Sequence, residues 1–187
     1  MNGTIYTATA PSGSVAYAKA AAGARAAQTA LDSLSPAALP GGIDVSTLGG
    51  GAGQLAKRTL APGVYRSAAG SFARQGGDLF PDGRGDRNAV WVFQMASTLT
   101  VGGPGAAFPQ SVHLVNGAQA RNVCWQVGPA TTINAAGGGT MLGTIIAAFG
   151  AACSTAGNTE ITTLEGRALA LHALVTLVNT RINVPAL

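Results

Sequence analysis

The sequence predicts a mainly β fold of stacked coils accompanied by a single long helix. Three observations carry this. Short apolar runs rich in Val and aromatics recur at residues 89–93, 111–115 and 122–127, the length of strands buried on both faces. Each run ends on turn chemistry: Gly102-Gly103-Pro104-Gly105, Asn116-Gly117 and Gly128-Pro129. Residues 14–34 are Ala-rich, free of Pro and periodic at helical spacing.

Taken in order, residues 2–9 (NGTIYTAT) alternate weakly and predict one edge strand. Ser12 or Ser14 then offers an N-cap. Val15, Ala18, Ala22, Ala26, Ala30 and Leu34 form one apolar stripe, with Lys19, Arg25, Gln28 and Asp32 off it. Pro36 stops the helix. A stripe made mostly of alanines packs closely but needs a partner surface to be stable. Residues 41–53 read as a loop centred on Gly49-Gly50-Gly51. Strands are expected over residues 59–184, with corners at Pro62-Gly63, Gly76-Gly77, Pro81-Asp82-Gly83 and Gly137-Gly138-Gly139. The last apolar run is 174–178, and a final strand at 180–184 ends at Pro185. No repeat of fixed length appears, so the coils are irregular.

The chain has 187 residues, which suits one domain with a sizeable core. It holds 27 glycines and is only 10% charged, a surface that fits a tightly turning β structure better than an ordinary enzyme. The net charge of +4 arises from 11 scattered Lys and Arg against 7 acids, without a basic run of five. With aromatics at 5%, a nucleic-acid groove is not expected. No apolar run approaches 18 residues, so no membrane span is expected. The first residues lack a charged n-region and an apolar h-region, so they do not read as a signal peptide. Cys124 and Cys153 fit either a disulfide or two buried thiols.

The stretch GDRNAVWVFQMASTLT, followed by VNGAQARNVCWQVG, resembles the signature of the microbial ice-binding proteins built on a β-solenoid. The likeness continues on both sides. Residues 59–65 (TLAPGVY) resemble the family's TLTPGVY turn, and 143–147 (GTIIA) and 166–170 (GRALA) its GTILA and GRALA segments. The resemblance spans residues 59–183 and, more loosely, the chain from Asn2. It implies an irregular right-handed β-solenoid with one long α-helix packed alongside. It also implies an extracellular, non-enzymatic protein that adsorbs to ice. Family members usually carry several more strands before the helix, where this chain has about eight residues. That departure leaves core surface or strand edges uncovered, and head-to-tail self-association is the expectation it raises. The alternative function is a secreted structural solenoid, an adhesin or filament subunit without ice activity.

Chemistry-bearing residues are sparse. His113 and His172 have no acid or Cys beside them in sequence and read as structural histidines, and Ser67 and Ser71 lack a nucleophile elbow. Glu160 and Glu165 read as solvated corner residues rather than a glycosidase pair. Asp78, Asp82 and Asp86 lack calcium-loop spacing and read as turn caps; Arg84-Gly85-Asp86 coincides with a turn. Trp91 and Trp125 read as core. No catalytic set, metal site or cofactor is expected. The candidate ice-binding residues are Thr98, Thr100, Thr131, Thr140, Thr144, Thr155, Asn158, Thr163 and Thr176. A β-branched Thr is stiff at χ1, so a row of them on a flat sheet fixes methyls and hydroxyls in place. Such a row matches rungs about 4.8 Å apart and a same-face residue repeat of about 6.6 Å. Thr155-Ala156-Gly157-Asn158 also resembles a T-A-x-N pattern on the ice-binding face of some members. Met141, Phe149, Leu177 and Val178 would interrupt a flat face if they pointed outward.

Overall fold

A computed structural model describes residues 15–48, 53–102, 109–135 and 137–185. The strand expected at residues 2–9 lies outside them. Among the described residues one helix, α1 (Val15–Ser33), precedes a set of short strands that pair in parallel. The strands wind as six successive coils. The first holds β1 (Ile43–Asp44) and β2 (Arg58–Leu60), and the second holds β3 (Gly63–Arg66), β4 (Phe72–Arg74) and β5 (Leu79–Pro81). The third carries β6 (Trp91–Met95) and β7 (Leu99–Val101), and the fourth β8 (Val123–Val127), β9 (Ala130–Ile133) and the start of β10 (Thr140–Ala147). The fifth runs through β11 (Gly150–Cys153) into β12 (Thr162–Ala170), and the sixth ends with β13 (Val175–Leu177) and β14 (Thr180–Asn183).

Equivalent strands of successive coils stack into three walls. Wall A runs β1-β3-β6-β8 and continues through the second halves of β10 and β12. Wall B is β4-β7-β9-β11-β13. Wall C joins β2 to β5, bridges through Val112 and Val115, then runs through the first halves of β10 and β12 to β14. β10 and β12 therefore each serve two walls, and the corner between them is glycine. Gly143 takes φ 96°, and Gly166 stacks directly on it; a Cβ on either would strike the backbone of the coil beside it.

The core fills the inside of this prism. The rung register aligns Tyr65, Phe93 and Trp125, whose rings stack at 5.6 Å and 4.1 Å, and Phe72 meets Phe93 edge-on at 5.9 Å. Trp91 and Trp125 are wholly buried, and each indole donates to a backbone carbonyl, of Leu60 (3.0 Å) and Leu142 (2.8 Å). Val92 and Ile146 point away from this core yet are also buried, and α1 packs against β10 of wall A. Gln94 fixes the helix end by donating to the carbonyls of Leu34 and Leu39.

Three sequence expectations change. Residues 41–53 contain the first rung, β1, and a 3-10 turn (Val45–Leu48), not loop alone. A two-residue strand has no periodicity to read; the register with Tyr65 and Arg66 reveals it. The run at 111–115 makes only isolated bridges. The run at 174–178 yields a strand exposed along its length, since it lies on the last coil. The two cysteines are free thiols in different walls, and burial pushes the Cys153 thiol up to about 11.

The stacked rings predict the fold's sensitivity. Phe93→Ala is expected to cost about 3–5 kcal/mol. For a chain of this size that lowers the melting midpoint by roughly 6–20 °C, read by circular dichroism. A change under about 2 °C would remove the ladder from the account of stability.

Candidate functional site

Wall B presents an uncharged outer surface. Its strands alternate strictly, with Phe72, Arg74, Leu99, Val101, Thr131, Ile133, Ala151 and Cys153 turned inward. The intervening residues align outward as Ala73–Thr100–Thr132–Ala152–Thr176, one per rung. Extending the register by two residues gives a second row: Ser71, Thr98, Ala130, Gly150 and Leu174. At its start, the Ser71 and Thr98 hydroxyls lie 3.3 Å apart and Thr98 N–H donates to Ser71 Oγ. Neither row contains an ionisable side chain. The rungs repeat at about 4.8 Å, so the rows form a lattice of methyls and hydroxyls on stiff rotamers.

The face is not uniform. Ala130, Gly150 and Ala152 are smaller than the residues on either side, and a shallow trough runs across the fourth and fifth coils. Leu174, 79% exposed, stands up at its far rim. Of the bulky residues that threatened flatness, Met141 is wholly buried. Leu177 has an inward register and is partly exposed only because it lies on the last coil. Phe149 sits at the edge of wall B with its ring 5.6 Å from that of His172.

The nine candidate residues are distributed over the whole prism. Thr98, Thr100 and Thr176 lie on the outer face of wall B. Thr131 does not: it is 2% exposed, and its hydroxyl donates inward to the Leu99 carbonyl at 3.3 Å. In a pleated strand adjacent residues take opposite faces, and it is Thr132 that points out. Thr140 and Thr163 are rung partners on wall C, where Thr163 also pairs Arg181. Thr144 lies on wall A between Cys124 and Arg167. Thr155 and Asn158 belong to a corner. The Thr155 hydroxyl and Asn158 Nδ2 both donate to the Ala135 carbonyl, and Asn179 Nδ2 donates to the Asn158 carbonyl at 2.6 Å. These bonds tie consecutive coils together. The outward Ala73 and Ala152 were missed, and nothing in the sequence chose Thr132 over Thr131, because only the register separates such residues from their inward neighbours.

Elsewhere the polar residues serve turns. Asp82 Oδ1 accepts from Arg84 N–H and from Asn116 Nδ2, and the backbone bond, with the Asn116 contact second, holds its carboxyl below the usual range. Asp86 accepts from Asn88 N–H, and Glu165 accepts from Asn183. Folding does bring an acid to His113: Asp78 Oδ2 lies 3.2 Å from its Nε2, with the imidazole stacked on Phe80. Ser111 N–H holds the other carboxylate oxygen. Among the described residues no group of three His, Cys, Asp or Glu could hold a metal, and no helix is long and apolar enough to cross a membrane.

The corner bonds and the outer rows separate experimentally. Asn158→Ala is expected to destabilise by about 1–3 kcal/mol in urea titration, the cost of unmade buried hydrogen bonds. Thr100→Ala should stay within about 0.5 kcal/mol, as an outward surface change does.

The comparisons agree with this geometry. The family model described as ice-binding-like matches residues 1–183. An ice-binding protein of Nostoc sp. (strain HG1) is 36% identical over 177 residues, 95% of this chain and 55% of its own length. Among solved structures, a domain of Shewanella frigidimarina ice-binding protein superposes with a TM-score of 0.74 at 25% identity, over 97% of this chain and 69% of that one. An ice-binding protein from the Antarctic ascomycete Antarctomyces psychrotrophicus gives 0.67 at 30% identity, over 92% and 73%. The chain thus spans about half the length of the Nostoc relative. A mainly β solenoid with one flanking helix and a family match from end to end places this chain in the ice-binding-like family.

Proposed function

We propose that the chain adsorbs to ice through the outer rows of wall B, slowing ice growth or recrystallisation, with no chemical step. The observation that carries this reading is the uncharged Thr/Ser/Ala lattice on parallel rungs, in a chain whose relatives are named ice-binding proteins. Ice offers no charge to pair with, so a matching surface needs area, rigidity and water-ordering groups. Thr98, Thr100, Thr132 and Thr176 supply the hydroxyls; Ala73, Ala130 and Ala152 keep the surface low. The setting is extracellular, where ice would be met. Thr140, Thr144, Thr155, Asn158 and Thr163 take no part in this surface.

The test is ice-recrystallisation inhibition by the purified chain and by Thr100→Tyr and Thr132→Tyr. Each is expected to raise the effective concentration about tenfold or more, equivalent to roughly 1.4 kcal/mol of lost adsorption energy. Thr163→Tyr, on wall C, should match the unsubstituted chain. Equal loss from all three would move the site off wall B, and an inactive unsubstituted chain would end the ice reading.

A further inference from the structure

The corner between walls B and C encloses polar side chains that the ice surface does not use. Arg74 ends β4 with its side chain turned inward, and it is wholly buried. One guanidinium nitrogen, Nη2, donates to the Gln110 carbonyl at 3.4 Å and lies 3.7 Å from Met141 Sδ. Nε and Nη1 have no partner. Two rungs along, just past Ile133, Asn134 turns the same corner at φ 46°, is 2% exposed, and has no partner for Nδ2 or Oδ1.

The two residues border the same backbone segment. Gly139 lies beside both the Gln110 carbonyl, which Arg74 touches, and Asn134 Nδ2, 3.1 Å from where a Gly139 Cβ would sit. Among the described residues the one charge pair is Asp78 with His113, so the guanidinium has no carboxylate in contact. Burial lowers its pKa to about 10, with the Asp78 charge acting in the opposite direction, so the side chain stays charged at neutral pH. A buried cation without a counter-charge is strongly unfavourable, and native proteins fill such positions.

Hydrogen-bond arithmetic selects the occupant. The unpartnered groups offer five N–H hydrogens, one on Nε and two each on Nη1 and Nδ2, against the single acceptor Asn134 Oδ1. A water molecule gives one hydrogen to Asn134 Oδ1 but leaves the guanidinium charge uncompensated. A small anion accepts from every side and neutralises the charge. We infer that Arg74 and Asn134 hold a small monovalent anion of chloride size inside the prism, between the second and fourth coils.

The deciding experiment is anomalous diffraction from crystals of the full chain grown with bromide in place of chloride. A bromide peak within hydrogen-bonding reach of Arg74 Nε or Nη1 and of Asn134 Nδ2 is the expected result. In solution, a tenfold rise in chloride above its dissociation constant should raise the melting midpoint by about 3–5 °C relative to gluconate at equal ionic strength. Arg74→Met should abolish that difference. Asn134→Gly, which keeps the left-handed corner, should weaken it and serves if Arg74→Met does not fold. Water or closed packing at the corner, with no bromide, overturns the site, as does an unchanged chloride response in Asn134→Gly and Arg74→Met.

Discussion

Everything in this molecule depends on parallel rung-to-rung stacking that keeps like residues in register. Backbone bonds between neighbouring coils set the spacing, and the inward side chains make that spacing costly to change. Tyr65, Phe93 and Trp125 are stacked because they occupy equivalent places in three coils, and a slip of one residue would turn every ring outward. One wall further on, the same register turns Phe72, Leu99 and Thr131 into the core and arranges Thr100 above Thr132 on the outer surface of wall B. Core and outer lattice are two readings of one pleat.

The corners hold this register against the irregular lengths of the connections. Gly143 and Gly166 let two strands pass from one wall to the next without a loop, while Thr155, Asn158 and Asn179 bond across coils where the chain does loop. The helix contributes differently. It packs against β10 of wall A, and the chain just past its end is tied down through Gln94. Elements that contact only their immediate neighbours gain a long-range tie from it.

Much of this was legible in the sequence. The apolar runs around Trp91 and Trp125 and the Gly and Asn corners each carry a local signal that survives folding; the alanine stripe does not, since the helix exposes Ala22 and Ala26 and buries Leu31. What escaped was pairwise in space. Thr131 and Thr132 are adjacent and chemically identical, and only the coil register assigns one to the core. His113 and Asp78 are 35 residues apart with no shared motif. Arg74 follows an inward Phe and an outward Ala, a position that alternation assigns to the core but that charge assigns to solvent. Sequence periodicity finds walls; it does not find which coil lies next to which.

The construction by near-independent rungs has a consequence for how such a surface fails. A coil that loosens takes only its own rung of the outer rows with it: losing β13 removes Thr176 and Leu174, while Thr98, Thr100 and Thr132 remain seated. Damage therefore shortens the lattice by a rung instead of erasing it. Activity in a molecule built this way should decline by degrees, as the count of seated rungs falls.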